Sequence, residues 1–321
     1  MNKFFLILLL SFCQFPILSI AINAQNNDAL EISKEIFGIK TPKDAAYGAF
    51  QRGQYLTALK LALPLAEKGN TAAQTLIGVI YSRGLGVAQN YPLASSWFIA
   101  ATKNNNISAT FELAMLYLNG NGVPKNRIKA AELFEKAANA NHREAQYNLA
   151  LLYIEGVSVA PNITKAAELI KAAAEAGLIE AQYDYSIMMF EGVGVAPDPK
   201  KGMLQLEKAA KGGLIEAQIE YATMLYLGKH ISPNLEKSIF WYKIAADSNN
   251  AVAQNRLAKL YAVGEGVELS LETSAMWRAL AQRQGLSDPL LDKLLISISK
   301  KDLEAALERA RFWPENPPKN N

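Results

Sequence analysis

The 321-residue sequence contains two histidines and one cysteine, Cys13. A multi-ligand His/Cys metal centre or a Cys-His dyad therefore has almost nothing to draw on, and no metal or other cofactor is expected. It also lacks charge of one sign. The 33 Lys and Arg offset 30 Asp and Glu, too close a balance to supply the phosphate-neutralising surface of a general nucleic-acid binder. Proline is sparse, at 13 residues, and half of the chain is hydrophobic. Disordered and collagen-like classes are excluded on those totals.

Residues 1–24 place one cation, Lys3, before the apolar run Phe4 to Phe12 and end in the small residues Ser19, Ala21 and Ala24. This pattern reads as a secretory signal peptide cleaved after Ala21 or Ala24. Gln14 and Pro16 interrupt the run before it reaches the ~20 apolar residues that a spanning helix needs, so no stable membrane insertion is expected after cleavage. An uncleaved anchor in the inner membrane is the alternative. Phe12 before Cys13 argues against lipoprotein processing. The expected location is periplasmic or secreted, and the mature chain would hold no thiol.

Self-similarity dominates the rest. Ala73, Ala109, Ala145, Ala181, Ala217 and Ala253 recur at 36-residue spacing, and Gly84, Gly120, Gly156, Gly192, Gly228 and Gly264 keep the same register. Such a period is the mark of stacked supersecondary units. Within a unit, residues such as Ile77 and Ile80 lie four and three positions apart from their neighbours in the stripe and form one helical face. A small residue between them, Gly78 or Ala114, admits a second helix closely. The Gly-x-Gly-Val loop that follows lies between two helices, without phosphate-loop spacing, and reads as a turn.

Asn90, Asn126, Asn162, Asp198, Asn234 and Ser270 can each accept from free amides and open a second helix. Gly69, Asn105, Asn141, Gly177, Gly213, Asn249 and Gly285 mark its end, since Gly and Asn enter the left-handed region most cheaply. Between these caps, Trp97, Phe134, Ile170, Leu206, Trp241 and Trp277 are expected to meet small alanines across the helix pair.

The pattern resembles the Sel-one-like repeat, a relative of the tetratricopeptide repeat, through Ala145, Leu149-Ala150, Tyr153, Gly156, Lys165-Ala166 and Trp241-Tyr242-Lys243. Ser158 and His230 depart from it at the second loop glycine, as do Met189 and Leu225 at a tyrosine position. The resemblance implies an all-α fold, a right-handed α-solenoid of stacked antiparallel helix pairs. The expected organisation is a lead-in over 25–41, a capping pair over 42–72, six repeats over 73–288, capping helices over 289–313 and a disordered tail over 314–321. Asp288-Pro289 opens the first C-terminal cap, and Ser299 with Asp302 forms a capping-box pattern at the second.

At 100° per residue, the positions equivalent to 75, 79 and 82 fall away from the core stripe. In a tetratricopeptide-like superhelix they line the concave surface. There stand Phe111, Met115 and Leu118, then Tyr147, Leu151 and Ile154, then Tyr183, Ile187 and Phe190, then Ile219 and Tyr226. Glu144, Glu180 and Glu216 run beside them, with Glu155 and Glu191. One reading is a groove for a protein or peptide with apolar side chains and Lys or Arg. The other is that adjacent first helices bury the strip against each other.

His142 and His230 lie in turns 88 residues apart and read as solvated loop residues. Asn106 and Asn162 open glycosylation sequons that matter only in a eukaryotic secretory pathway, and Asn162 is better explained as a cap. Ser297 and Lys300 match Ser-x-x-Lys, but neither Ser-Asp-Asn nor Lys-Thr-Gly accompanies them. The expected function is thus an exported scaffold or adaptor without chemistry of its own. The alternative, implied by cysteine-rich relatives linked to penicillin binding, is a hydrolase of cell-wall or β-lactam substrates.

Overall fold

The computed structural model describes residues 45–314, so the signal, lead-in and tail expectations lie outside the described residues, apart from Pro314 in the tail. All sixteen elements within that range are α-helices, and each repeat is a helix pair in a helical repeat solenoid. The chain forms two compact units that meet between Ala176 and Gly177 in sequence.

The first unit contains α1 (Ala45–Gln51), α2 (Tyr55–Glu67), α3 (Thr71–Arg83), α4 (Tyr91–Lys103), α5 (Ile107–Asn119), α6 (Arg127–Asn139), α7 (Arg143–Glu155) and α8 (Ile163–Glu175). Consecutive helices pack on one another. Its core has two clusters, one with Phe50, Leu76, Ile77, Ile80 and Phe98 and the other with Phe134, Leu149 and Leu152. The small position after Ile77 works as the repeat predicts: a Cβ added to Gly78 would lie 2.4 Å from the Phe98 ring.

The second unit contains α9 (Ile179–Glu191), α10 (Pro199–Lys211), α11 (Ile215–Leu227), α12 (Leu235–Asp247), α13 (Ala251–Val263), α14 (Leu271–Arg283), α15 (Pro289–Leu295) and α16 (Lys300–Phe312). Here α16 packs on α14, and α15 touches α13. Leu206, Tyr221 and Leu225 fill one part of its core, and Tyr242, Leu257 and Leu280 fill the other.

Local chemistry fixes the helix limits. All six expected caps accept an amide of the first turn, for example Asn90 from Leu93, Asp198 from Lys201 and Ser270 from Thr273. The seven Gly and Asn positions at second-helix ends all have positive φ, from 59° at Asn105 to 95° at Gly213. Each first helix of the six repeats ends at its loop glycine in the left-handed region. The second loop glycine has another cause as well. A Cβ on Gly122 would stand 2.3 Å from the Tyr91 carbonyl carbon, so the loop rests on the start of the preceding repeat's second helix. His230 takes the same left-handed conformation where glycine is missing, at φ 66°. Ser158 does not; its hydroxyl accepts from Arg127 Nε at 3.0 Å.

One register expectation fails by a single residue. The fully buried large side chains on the second helices are Phe98, Phe134, Ile170, Leu206 and Tyr242, whereas Trp97 and Trp241 are only half-buried. In the last repeat Arg278 occupies this slot, 3 % exposed, with Trp277 beside it. Its guanidinium makes two bonds to Asp292, at 2.6 and 2.9 Å, and donates to the Leu286 carbonyl at 2.7 Å. A buried cation survives there because each of its three nitrogens meets an acceptor, two of them on a carboxylate.

Recurring glutamines escaped the sequence reading. Gln74, Gln146, Gln218 and Gln254 are buried, and each donates to a carbonyl eight residues earlier, at the end of the preceding second helix. Their 36-residue or 72-residue spacing was a signal available in the sequence. Each adds a second hydrogen bond to a helix C-terminal carbonyl that already accepts the amide three residues on, and so ties the next first helix to that turn.

Asp288 opens α15 and ties it to α13, accepting from Asn255 at 2.7 Å and from Lys259 at 2.6 Å. Burial pushes this carboxyl up, but the Lys259, Asn255 and Leu291 hydrogen bonds outweigh it and bring it down to about 2. A depressed carboxyl stabilises the fold above its unfolded value, here 3.8, and loses that contribution as pH falls towards the folded value. The melting temperature should therefore drop between about pH 4 and pH 2 more steeply in the native chain than in Asp288→Asn, as a pH series of thermal melts would record.

Candidate functional site

The strip on the first-helix faces is neither fully buried nor fully open: Phe111, Met115, Leu118, Tyr147, Leu151, Ile154, Tyr183, Ile187, Phe190, Ile219 and Tyr226 are all half-buried. In the first unit, Phe111 does not stand clear of its partner helix. Its ring tilts against Phe134 at 5.8 Å and stacks on His142 at 4.6 Å between centroids. Met115 and Leu118 pack beside it. The acidic rim is matched within the unit. Glu155 pairs with Arg127, and Glu144 with Arg143 at 2.7 Å.

His142 is thus no solvated loop residue. It caps α7, its Nδ1 accepting from the Ala145 amide at 3.4 Å. Burial holds its imidazole below the ordinary range, against the pull of Glu144 and with a small push from Arg143. The ring stacked on Phe111 is therefore neutral at pH 7. Asn106 and Asn162, at the two sequons, are both helix caps, each accepting an amide with its side-chain oxygen.

In the second unit, the strip's polar tips bond to the next repeat. Tyr183 Oη donates to Glu220 at 2.8 Å, and Tyr226 Oη donates to Glu265 at 2.8 Å. Burial, then the neighbouring Glu220, push the Tyr183 hydroxyl far up. Burial likewise raises Glu220, opposed by the Tyr183 bond and Lys229 and reinforced by Glu191. Phe190 leans onto its own second helix at Gly202, where a Cβ would come within 2.6 Å of the ring, and stacks on His230 at 5.1 Å with planes 7° apart. Both histidines of the chain thus lie on strip phenylalanines. Glu180, Glu191 and Glu216 remain exposed.

A cleft of about 390 Å³ opens in this unit between α11, α13 and α15. Leu227, Val263, Leu290 and Leu294 form its walls, and Tyr226 extends the strip into it. On its floor Tyr242 and Thr223 share a hydrogen bond at 2.8 Å. Burial raises the Tyr242 hydroxyl, while that bond and the Arg256 charge act the other way.

At the Ser-x-x-Lys match both side chains have other partners. Ser297 donates to the Leu294 carbonyl at 3.0 Å, and the Lys300 ammonium faces Glu304 at 3.9 Å. Among the described residues no group of three or more His, Cys, Asp or Glu could hold a metal ion, and no helix is long and apolar enough to cross a membrane.

The crystal structure of a Sel1 repeat protein from Oxalobacter formigenes is similar at TM-score 0.67 and 28% identity, over 74% of this chain and 98% of that one. A second, c5321, a protective antigen of uropathogenic Escherichia coli strains displaying an SLR fold, aligns at TM-score 0.67 and 24% identity, over 94% of this chain and 70% of its own, and speaks for the fold alone. No curated protein matches. The Sel1 repeat family model matches six consecutive segments, 71–106, 107–142, 143–178, 179–214, 215–250 and 251–284, in step with the helix pairs. A chain so closely paved with one repeat belongs to the Sel1 repeat family, whose helical repeats commonly mediate protein–protein interaction.

Proposed function

We propose that this chain is an exported scaffold or adaptor that holds a protein or peptide against the first-helix faces of its repeats. The observation that carries the reading is the half-buried aromatic strip. Tyr147, Tyr183, Phe190 and Tyr226 are only half-buried on a face where a free surface would favour polar residues. Aromatic rings with polar tips are well suited to interfaces, because they bury much area with few rotatable bonds. Their existing contacts, such as Tyr183 with Glu220, hold the rings in place before a partner arrives. Export rests on the signal-like pattern of residues 1–24, and the adaptor role on the family's habit of binding proteins.

A photo-reactive side chain tests where the partner lies. Placed at Leu151 or Ile187, in cells that make the protein, it should yield a crosslinked protein adduct. At Leu204 or Phe240, which are 58% and 57% exposed on second helices, it should yield none. Adducts from the second-helix positions alone would refute the assignment.

A further inference from the structure

The cleft between α11, α13 and α15 is a hollow that keeps large apolar side chains open. Leu290 is 82% exposed, Leu227 64% and Val263 58%. Leucines at such exposure, grouped round one hollow, mark an interaction site more strongly than scattered ones do. The charges in the hollow are unequal in their engagement. Lys259 is held by Asp288 at 2.6 Å, and Glu265 accepts the Tyr226 hydroxyl at 2.8 Å. Arg256 has no carboxylate within ion-pair distance among the described residues. It is exposed, on the side of the cleft where the Tyr226 and Tyr242 hydroxyls lie.

The geometry points to this cleft as the docking pocket for an acidic, leucine-rich peptide segment: apolar side chains between Leu227, Val263 and Leu290, and a side-chain carboxylate on Arg256. Arginine suits that task because its planar fork can give two parallel bonds to one carboxylate. Apolar contact supplies the larger part of affinity and the arginine supplies the choice of charge. The assignment rests on the reading of the first-helix face as a binding face, and confines this ligand to residues that the aromatic strip does not share, Tyr226 excepted.

The test uses the full mature chain and three fluorescent decapeptides of alternating leucine with glutamate, glutamine or lysine, read by anisotropy. The Leu/Glu peptide should bind saturably and at least about tenfold more tightly than the Leu/Lys peptide. Arg256→Gln should erase the preference over Leu/Gln, and Leu290→Ser should weaken Leu/Glu binding by about tenfold. Because Leu290 is so exposed, its replacement leaves the fold intact, which a thermal melt confirms. Binding by the Tyr147, Tyr183 and Phe190 alanine variant should be unchanged. Equal binding of all three peptides, indifference to both cleft substitutions, or no saturable binding overturns the proposal. Loss of binding only in the aromatic variant would move the ligand to the strip and leave the binding-face reading standing.

Discussion

Phe134→Ala lowers the unfolding free energy by about 3–5 kcal/mol. Its ring is wholly inaccessible in the slot that Phe98, Ile170, Leu206 and Tyr242 fill in other repeats. Many of its neighbours are small, Ala130, Ala137 and Ala138 on its own helix and Ala114 and Ala145 on the flanking ones, beside the larger Phe111 and Leu149. Alanines cannot expand into the space, so the void stays open and costs its lost contacts in addition to the transfer term. Ile128, on the same helix and 62% exposed, is the control. Its alanine variant should stay within about 0.5 kcal/mol of the native chain. Urea unfolding midpoints separate the two, and a Phe134→Ala value near the control's would show that this slot does not organise the repeat. A broadened transition is also expected, because repeats couple chiefly through their neighbours and a weak one loosens the array locally.

Gly122→Ala is the second large effect, expected at about 2–4 kcal/mol. The residue holds φ at 68°, which an L side chain adopts at a cost of about 1–2 kcal/mol. The added methyl would also meet the carbonyl carbon and oxygen of Tyr91 at 2.3 and 2.4 Å. Those atoms are backbone at the mouth of a capped helix and cannot swing aside. Gly69 provides the comparison, with φ at 87° and nothing within 4 Å of a Cβ. Gly69→Ala should cost only the conformational part, about 1–2 kcal/mol. If both substitutions cost the same, the loop does not bear on the preceding repeat as described.

What the sequence made legible was whatever one residue decides alone. A cap needs a side-chain acceptor, and a left-handed residue needs Gly or Asn, so Asn90 to Ser270 and Gly69 to Gly285 could be placed to the residue. The buried slot was harder. Trp97 and Phe98 are adjacent large rings, and thirteen residues of helix fix the core direction too loosely to choose between them. The closely approached space above Gly78 takes Phe98. No hydropathy pattern could place Arg278 inside, because its burial depends on Asp292 in a helix that lies beyond the repeats.

The candidate site was legible as a set of positions but not as a set of partners. Counting 100° per residue located the strip, and every member proved half-buried. The angle assigned to a Cα does not limit a phenylalanine ring, which is how Phe111 reaches Phe134 and Phe190 covers Gly202. Tyr183 with Glu220, 37 residues apart, and Tyr226 with Glu265, 39 apart, owe their meeting to the offset between stacked repeats. A shorter reach, 28 residues, pairs Arg127 with Glu155, and Arg143 pairs with Glu144 beside it, which neutralises the rim carboxylates of the first unit. Charges that look aligned along a sequence are weighed correctly only once their cations are found.

The most direct measurement of the central claim compares the native chain with the variant in which Tyr147, Tyr183 and Phe190 are all alanine. Partner capture from an envelope extract and thermal melting are followed together. The account predicts that capture falls sharply while helicity stays close to the native value and melting falls only moderately, because these half-buried side chains pack at the margin of the core. A collapsed melt would instead mean that they belong to the core, and intact capture in a well-folded variant would mean that partners bind elsewhere.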